Sequence, residues 1–308
     1  MKAVGRYLII IINLNHKYKT TFVSKLKTKI LFLCFASINL LAQKEFDKYG
    51  PFGCLTYTDL KEALKIETKV YKLDLSYKKI EPKLFEKLYK LKDLQALKLN
   101  SNELADYPKN FEELTNLVYF ASYNNKLTSF PANLKPFNNL YYLEFQHTKI
   151  DSIPAQIAFL NKLQSFKFGN TDDTLALPNT FRYLKNLKDI SIENCVMDSF
   201  PKQLFKITGL IYLNLSNTNT HYLTNHFERF QNLEVLIIEN NPLTQLPFDI
   251  YKAQKLRLIS LRGNKLTKIP DSISQLENLT LLDLRGNLIE KEEIEKLKIL
   301  LPGCEIKF

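Results

Sequence analysis

The sequence is poor in the residues on which most enzyme chemistry depends. Its 308 residues hold 4 His, 4 Cys and 8 Gly, and no Trp. The glycines fall in no phosphate-loop spacing, so a nucleotide-cradling loop is not expected. His16, His147, His221 and His226 have no Cys or paired carboxylates at ligand spacing, and His221 and His226 read as residues of a solvated loop. No Ser, His and Asp set carries a local catalytic signature, and Asp172-Asp173 reads as a polar turn. No catalytic residue, metal or cofactor is therefore expected.

Acidic residues are wholly lacking from the first 43 positions, which carry seven cations (Lys2, Arg6, Lys17, Lys19, Lys25, Lys27, Lys29) and then an apolar run from Ile30 to Ala42. A basic start, an apolar stretch of about a dozen residues and a small closing residue describe an export signal, with removal near Ala42. The run is too short for a membrane span. A second apolar run, Tyr7 to Leu14, precedes it. Either the signal has a long leader, or the chain starts near Leu26 with a compact signal from Lys27 to Ala42. Cys34 follows Leu33, a residue larger than a lipoprotein cleavage site takes, and the apolar run continues past it, so a lipid anchor at Cys34 is disfavoured.

Losing those seven cations from a total of 43 leaves 36 against 32 acidic side chains, a net charge of about +4 in place of +11. Nucleic-acid binding, which needs clustered Lys and Arg, has little support.

What the sequence has in abundance is a repeated sentence. In Leu256 to Glu277, LRLISLRGNKLTKIPDSISQLE, apolar residues fall at Leu256, Ile259, Leu261 and Leu266, with Asn264 at the corner, Pro270 after it, and Ile273 and Leu276 closing the unit. The opening alternation has the period of a strand; Ile273 and Leu276 stand three apart, as on one face of a helical turn. Six or seven buried side chains at roughly 1.5–3 kcal/mol each do not offset the ordering of some twenty residues at about 1–2 kcal/mol each, so one copy cannot fold alone. Stacked copies can, each covering the apolar edge of the next.

Copies start at Val70, Leu94, Leu117, Leu140, Leu163, Leu187, Leu210, Leu233, Leu256 and Leu279. The Pro recurs at Pro108, Pro131, Pro154, Pro178, Pro201, Pro247 and Pro270, with Thr224 in its place once. The corner residues are Asn102, Asn125, Thr148, Thr171, Cys195, Thr218, Asn241, Asn264 and Asn287. An Asn amide there satisfies backbone groups on both sides of the turn. The four middle copies lack it, which predicts a weaker middle to the ladder.

This LxxLxLxxNxL pattern resembles the leucine-rich repeat proteins, in the class with Pro before the outer segment. The resemblance implies an α/β solenoid: a right-handed horseshoe with a parallel concave sheet, short convex helices and no enzymatic activity. Its usual role implies a protein or peptide partner on the concave face. The chain then divides into an export signal region (1–43), an N-terminal cap (44–69) with Asp59 capping a helical stretch from Tyr57 to Ile66, ten repeats (70–289) and a C-terminal cap (290–308) that opens with an amphipathic helix from Lys291 to Leu301. In such a stack Cys54, Cys195 and Cys304 lie too far apart to pair.

Alternation along each strand sets the side chains between the apolar ones on the outward face. Tyr119, Tyr123, Tyr142 and His147 are expected to form one exposed aromatic patch, with Glu144, Glu193, Tyr212 and Glu239 on the same face as further partner-binding residues. They are also residue types that simply suit a strand surface. Val235, Ile237, Leu258 and Leu281 form a second, apolar patch, either a binding site or a surface covered by a cap or a second copy. A protein or peptide ligand is the leading expectation. The other reading is a surface structural or adhesive protein that recognises glycan or cell-envelope polymer, for which stacked Tyr rings are suited.

Overall fold

A computed structural model describes residues 46–66, 68–169, 174–197 and 199–308. The signal region, Cys34, Thr171 and Asp172-Asp173 lie outside the described residues. The chain divides into two compact units, Met1–Lys48 and Tyr49–Phe308.

The second unit is built on one parallel sheet of twelve strands, paired in chain order. Each repeat adds one strand: β2 (Lys72–Asp74), β3 (Ala96–Lys98), β4 (Tyr119–Ala121), β5 (Tyr142–Gln146), β6 (Ser165–Gly169), β7 (Asp189–Glu193), β8 (Tyr212–Asn214), β9 (Val235–Ile237), β10 (Leu258–Ser260) and β11 (Leu281–Asp283). Equivalent residues pair without slippage, as in Leu258 with Val235 and Leu281. Both edges carry a strand outside the repeat pattern, β1 (Thr56–Tyr57) on β2 and β12 (Glu305–Lys307) on β11. A helix covers each end as well: α1 (Leu60–Ala63), where the Asp59 carboxylate accepts the Glu62 N–H at 2.8 Å, and the longer α3 (Lys291–Leu300). The N-terminal helix is shorter than the expected Tyr57–Ile66 because Tyr57 pairs into the sheet. The repeat after β2 has α2 (Pro82–Phe85) on its outer side.

Elsewhere the outer segments are 3-10 turns, such as Ala155–Phe159, Asn179–Tyr183, Lys202–Lys206 and Asp271–Gln275. Each of these follows an extended Pro whose carbonyl accepts the first turn's N–H, as Pro154 O does from Ile157 N at 3.0 Å. The spacing of three that links Ile273 to Leu276 is thus literal: the Leu276 N–H donates to Ile273 O at 3.0 Å. Between turns and sheet lies one continuous apolar core, rich in Phe through the middle repeats, where Phe130 meets Phe145 edge-on at 4.9 Å and Phe166 meets Phe181 at 5.6 Å.

The corner ladder takes the expected form at both ends of the stack. Asn102, Asn125, Asn241, Asn264 and Asn287 each donate backwards, at 2.7–2.9 Å, to the carbonyl of the residue that follows the strand of the preceding repeat. Thr148 and Thr218 donate within their own repeats, to Phe145 O at 3.4 Å and Leu215 O at 2.9 Å, and among the described residues Cys195 has no such bond. The residue just before the corner is left-handed in repeat after repeat: Asn124, Asn194, Asn217 and Asn240 at φ 52–55°, Gly263 at 68° and Gly286 at 71°. Asn and Gly tolerate that conformation; Tyr77, Ser101 and His147 hold it at a strain of roughly 1–2 kcal/mol each.

Candidate functional site on the strand face

The sheet face turned away from the core is laid out in rows, because the register is unbroken and every strand contributes the same positions. The first row runs Tyr119, Tyr142, Ser165, Asp189, Tyr212, Val235, Leu258, Leu281. The second, two residues on, runs Ala121, Glu144, Lys167, Ser191, Asn214, Ile237, Ser260, Asp283 along the same pairings.

The structure brings Tyr119 and Tyr142 together, with rings parallel at 6° and 4.3 Å apart. It does not leave them exposed, which corrects the reading of them as accessible anchors: they are 1% and 2% exposed. The reason is geometric. Strand spacing is close to the stacking distance of aromatic rings, so in-register tyrosines cover one another's faces. Tyr49 packs on the other side of Tyr119 at 5.7 Å, and the Lys167 ammonium lies 5.6 Å from the Tyr142 ring centre. Tyr142 donates its hydroxyl to Glu144 at 2.7 Å. Burial, then the neighbouring Glu144 carboxylate, raises both phenol pKa values well above their ordinary range.

Tyr123 and His147 also meet, edge-on at 4.8 Å, but at the turn end of the strands and apart from the stacked pair. His147 is exposed and Tyr123 half-buried. The expected single patch is therefore two: one closed and structural, the other open.

Glu193, Tyr212 and Glu239 are all half-buried in the centre of the face. Glu193 accepts from Ser191 and, across two strands, from the Gln146 amide at 3.2 Å. That reach passes over Gly169, whose lack of a side chain opens the lane. A Cβ at Gly169, which has φ +151°, would stand 1.9 Å from the Glu193 carbonyl oxygen, so glycine is required for β6 and β7 to pair here. Glu239 accepts the Ser260 hydroxyl at 2.5 Å. Tyr212 sits among Asp189, Glu193 and Glu239, and burial, followed by the repulsion of its phenolate by the Asp189 carboxylate, raises its phenol pKa. Beyond it, the first row continues through a buried Val235 to Leu258 and Leu281, both half-covered, with a half-covered Ile237 beside them.

Among the described residues no group of three or more His, Cys, Asp or Glu could hold a metal ion, and no helix is long and apolar enough to cross a membrane. Cys54, Cys195 and Cys304 are free thiols; burial, then nearby Glu193, pushes Cys195 up to about 12. The arrangement presents shape, charge and apolar surface.

No curated protein sequence matches the chain. Residues 231–289 match a family described as leucine rich repeat. Among solved structures, the chain is similar to an internalin (inlF) from Listeria monocytogenes, at 19% identity over 73% of this chain and 70% of that one, with a TM-score of 0.58. It is also similar to a TDR receptor, at 24% identity over 71% of this chain and 39% of that one, TM-score 0.58. A third likeness is to the Arabidopsis receptor kinase HAESA in complex with the peptide hormone IDA and the co-receptor SERK1, at 22% identity, 71% and 39% coverage and TM-score 0.57. The chain thus spans about two fifths of either receptor chain. With the ladder of corner residues and the one-strand-per-repeat sheet, these likenesses identify residues 231–289 as leucine-rich repeats and the fold of the described chain as the leucine-rich-repeat solenoid.

Proposed function

We propose that the chain is a non-enzymatic binding module, exported by way of residues 1–43, that holds an extended protein or peptide segment on its strand face. The observation that carries this reading is the row Tyr212, Val235, Leu258, Leu281 in unbroken register, half-covered at Tyr212, Leu258 and Leu281 with Val235 buried between them, and flanked by the carboxylates of Glu193 and Glu239. An extended peptide laid along it places side chains on the apolar strip and a basic group over the acids. Tyr119 and Tyr142 support the face from within and make no contact with the ligand. The complex of HAESA with a peptide hormone is support by analogy of fold only.

Selection from a displayed random-peptide library on the full chain tests it. Peptides retained by wild type and lost with Leu258→Asp, at unchanged far-UV spectrum, support the reading; a library that yields none refutes it. The exposed edge-on pair Tyr123 and His147 favours one second reading, glycan recognition at the turn end of the strands. Binding on polysaccharide arrays that fails with Tyr123→Ala decides for it.

A further inference from the structure

The outer side of the solenoid is charged unevenly. The segments 131–139, 154–163, 178–187 and 201–210 contain six cations, Lys135, Lys162, Arg182, Lys185, Lys202 and Lys206, and no Asp or Glu. Each of the remaining outer segments has at least one carboxylate: Glu86, Glu113, Glu228, Asp249 or Asp271, and Glu292 on α3. Among the described residues, the carboxylates of the same middle repeats are Glu144, Asp189 and Glu193 on the strand face and Asp151 ahead of Pro154. All six cations are exposed. Among the described residues none forms an ion pair: Lys162 donates to the Asn139 amide oxygen at 2.7 Å, Lys185 to the Lys206 carbonyl at 2.7 Å, and the Arg182 guanidinium rests 5.2 Å from the Tyr183 ring centre.

Two aromatic rings stand in the middle of this acid-free field. Phe159 and Tyr183 are the last residues of the adjacent turns Ala155–Phe159 and Asn179–Tyr183, and they are 45% and 52% exposed. The next two turns end on Lys206 and Arg229, both exposed, so solvated cations take this place there. A phenyl ring has no polar group to offer water and gains from entering an apolar phase. Aromatic side chains ringed by Lys and Arg suit the boundary between water and an anionic lipid layer, where rings enter the headgroup region and cations face lipid phosphate.

We propose that this outer face seats the chain on an anionic lipid bilayer, with Phe159 and Tyr183 inserted and the six cations around them. The strand face, on the opposite side of each repeat, is then turned away from the lipid and left to its own ligand. The inference does not depend on the peptide reading of that face.

Sedimentation of the full chain with vesicles tests it, comparing pure phosphatidylcholine with phosphatidylcholine containing phosphatidylglycerol. Wild type is expected to bind only the anionic vesicles and to be released by raised salt. Each cation neutralised should weaken partitioning about fivefold, so Arg182→Gln with Lys185→Gln should lower it about 25-fold. Phe159→Ser with Tyr183→Ser should weaken binding to anionic vesicles while far-UV spectra stay unchanged. Residues 1–43 are common to wild type and variants, so the comparison isolates the outer face. Equal binding to neutral vesicles, no binding to anionic ones, or variants that bind like wild type would each overturn the proposal. So would retention on heparin or duplex DNA with none on vesicles, which would assign the field to a soluble polyanion.

Discussion

Replacing Asn264 and Thr148 by alanine probes the same place in two repeats, and the structure assigns the two substitutions very different costs. The Asn264 amide donates to Ile238 O at 2.7 Å and Leu261 O at 2.8 Å, and its carbonyl accepts the Leu243 N–H at 3.2 Å. All three partners are buried; among the described residues Asn264→Ala leaves Ile238 O and the Leu243 N–H unpartnered, while Leu261 O keeps the Asn287 amide at 2.8 Å. At about 1 kcal/mol for each bond, the loss is about 3 kcal/mol. Among the described residues Thr148 makes two contacts, to Phe145 O and from Ile150 N, both at 3.4 Å, and Thr148→Ala should cost less than about 1 kcal/mol. In a chain of this size 1 kcal/mol moves the melting point by roughly 2–4 °C, so the first variant should melt about 6–12 °C below wild type and the second within about 4 °C. Urea titration followed by far-UV circular dichroism gives the free energies directly. Equal losses in the two variants, or an Asn264→Ala within 1 kcal/mol of wild type, would refute the argument that the bond to the preceding repeat sets the strength of the ladder.

Tyr119→Ala and Tyr142→Ala each remove a buried, stacked ring and should destabilise by about 3–5 kcal/mol, seen as a lower melting point; melting unchanged from wild type would return these rings to the surface. Gly169→Ala forces a Cβ onto the Glu193 carbonyl and should cost about 2–4 kcal/mol, measured by urea titration against Gly303→Ala, where nothing stands within 4 Å and stability should hold. Tyr119, Tyr142, Tyr212 and Cys195 all have pKa values raised by folding from 10.0 or 9.0. Above about pH 9 the unfolded chain therefore releases protons that the folded chain keeps, and stability should fall as pH rises from there; a urea midpoint equal at pH 8 and pH 10.5 contradicts this. The same burial keeps Cys195 protonated at pH 8, so alkylation of the folded chain should leave it unmodified until the chain is unfolded.

The fold was legible in the sequence because its determinants are local and repeated. Leu256, Ile259, Leu261 and Asn264 state within nine residues a strand, its face and its corner, and ten copies leave no other register. The edge strands β1 and β12 were not legible, since two or three residues such as Thr56-Tyr57 pair only because a repeat strand lies beside them. The outer segments read as helical turns, and the five-residue span between Pro154 and Leu160 is what makes them 3-10. The candidate site was legible by face but not by depth. Alternation places Tyr119 and Tyr142 on the strand face; it says nothing of how they cover each other, or of Tyr49 lying against them. The left-handed residue before each corner was readable in the pairs Asn124-Asn125, Asn240-Asn241, Gly263-Asn264 and Gly286-Asn287, where two turn-forming residues stand together.

Because the strands pair strictly in chain order, the sheet is also a ruler. Its graduations are single strands about 4.8 Å apart, and one graduation corresponds to about 23 residues of sequence. Tyr212 and Leu281 are three marks apart, as are Tyr142 and Tyr212. Excising one repeat between two such marks shortens their separation by one step and leaves every other pairing as it was. The distance between the acidic centre of the face and the end of its apolar strip is therefore set by a count of repeats, and it can change only in whole steps.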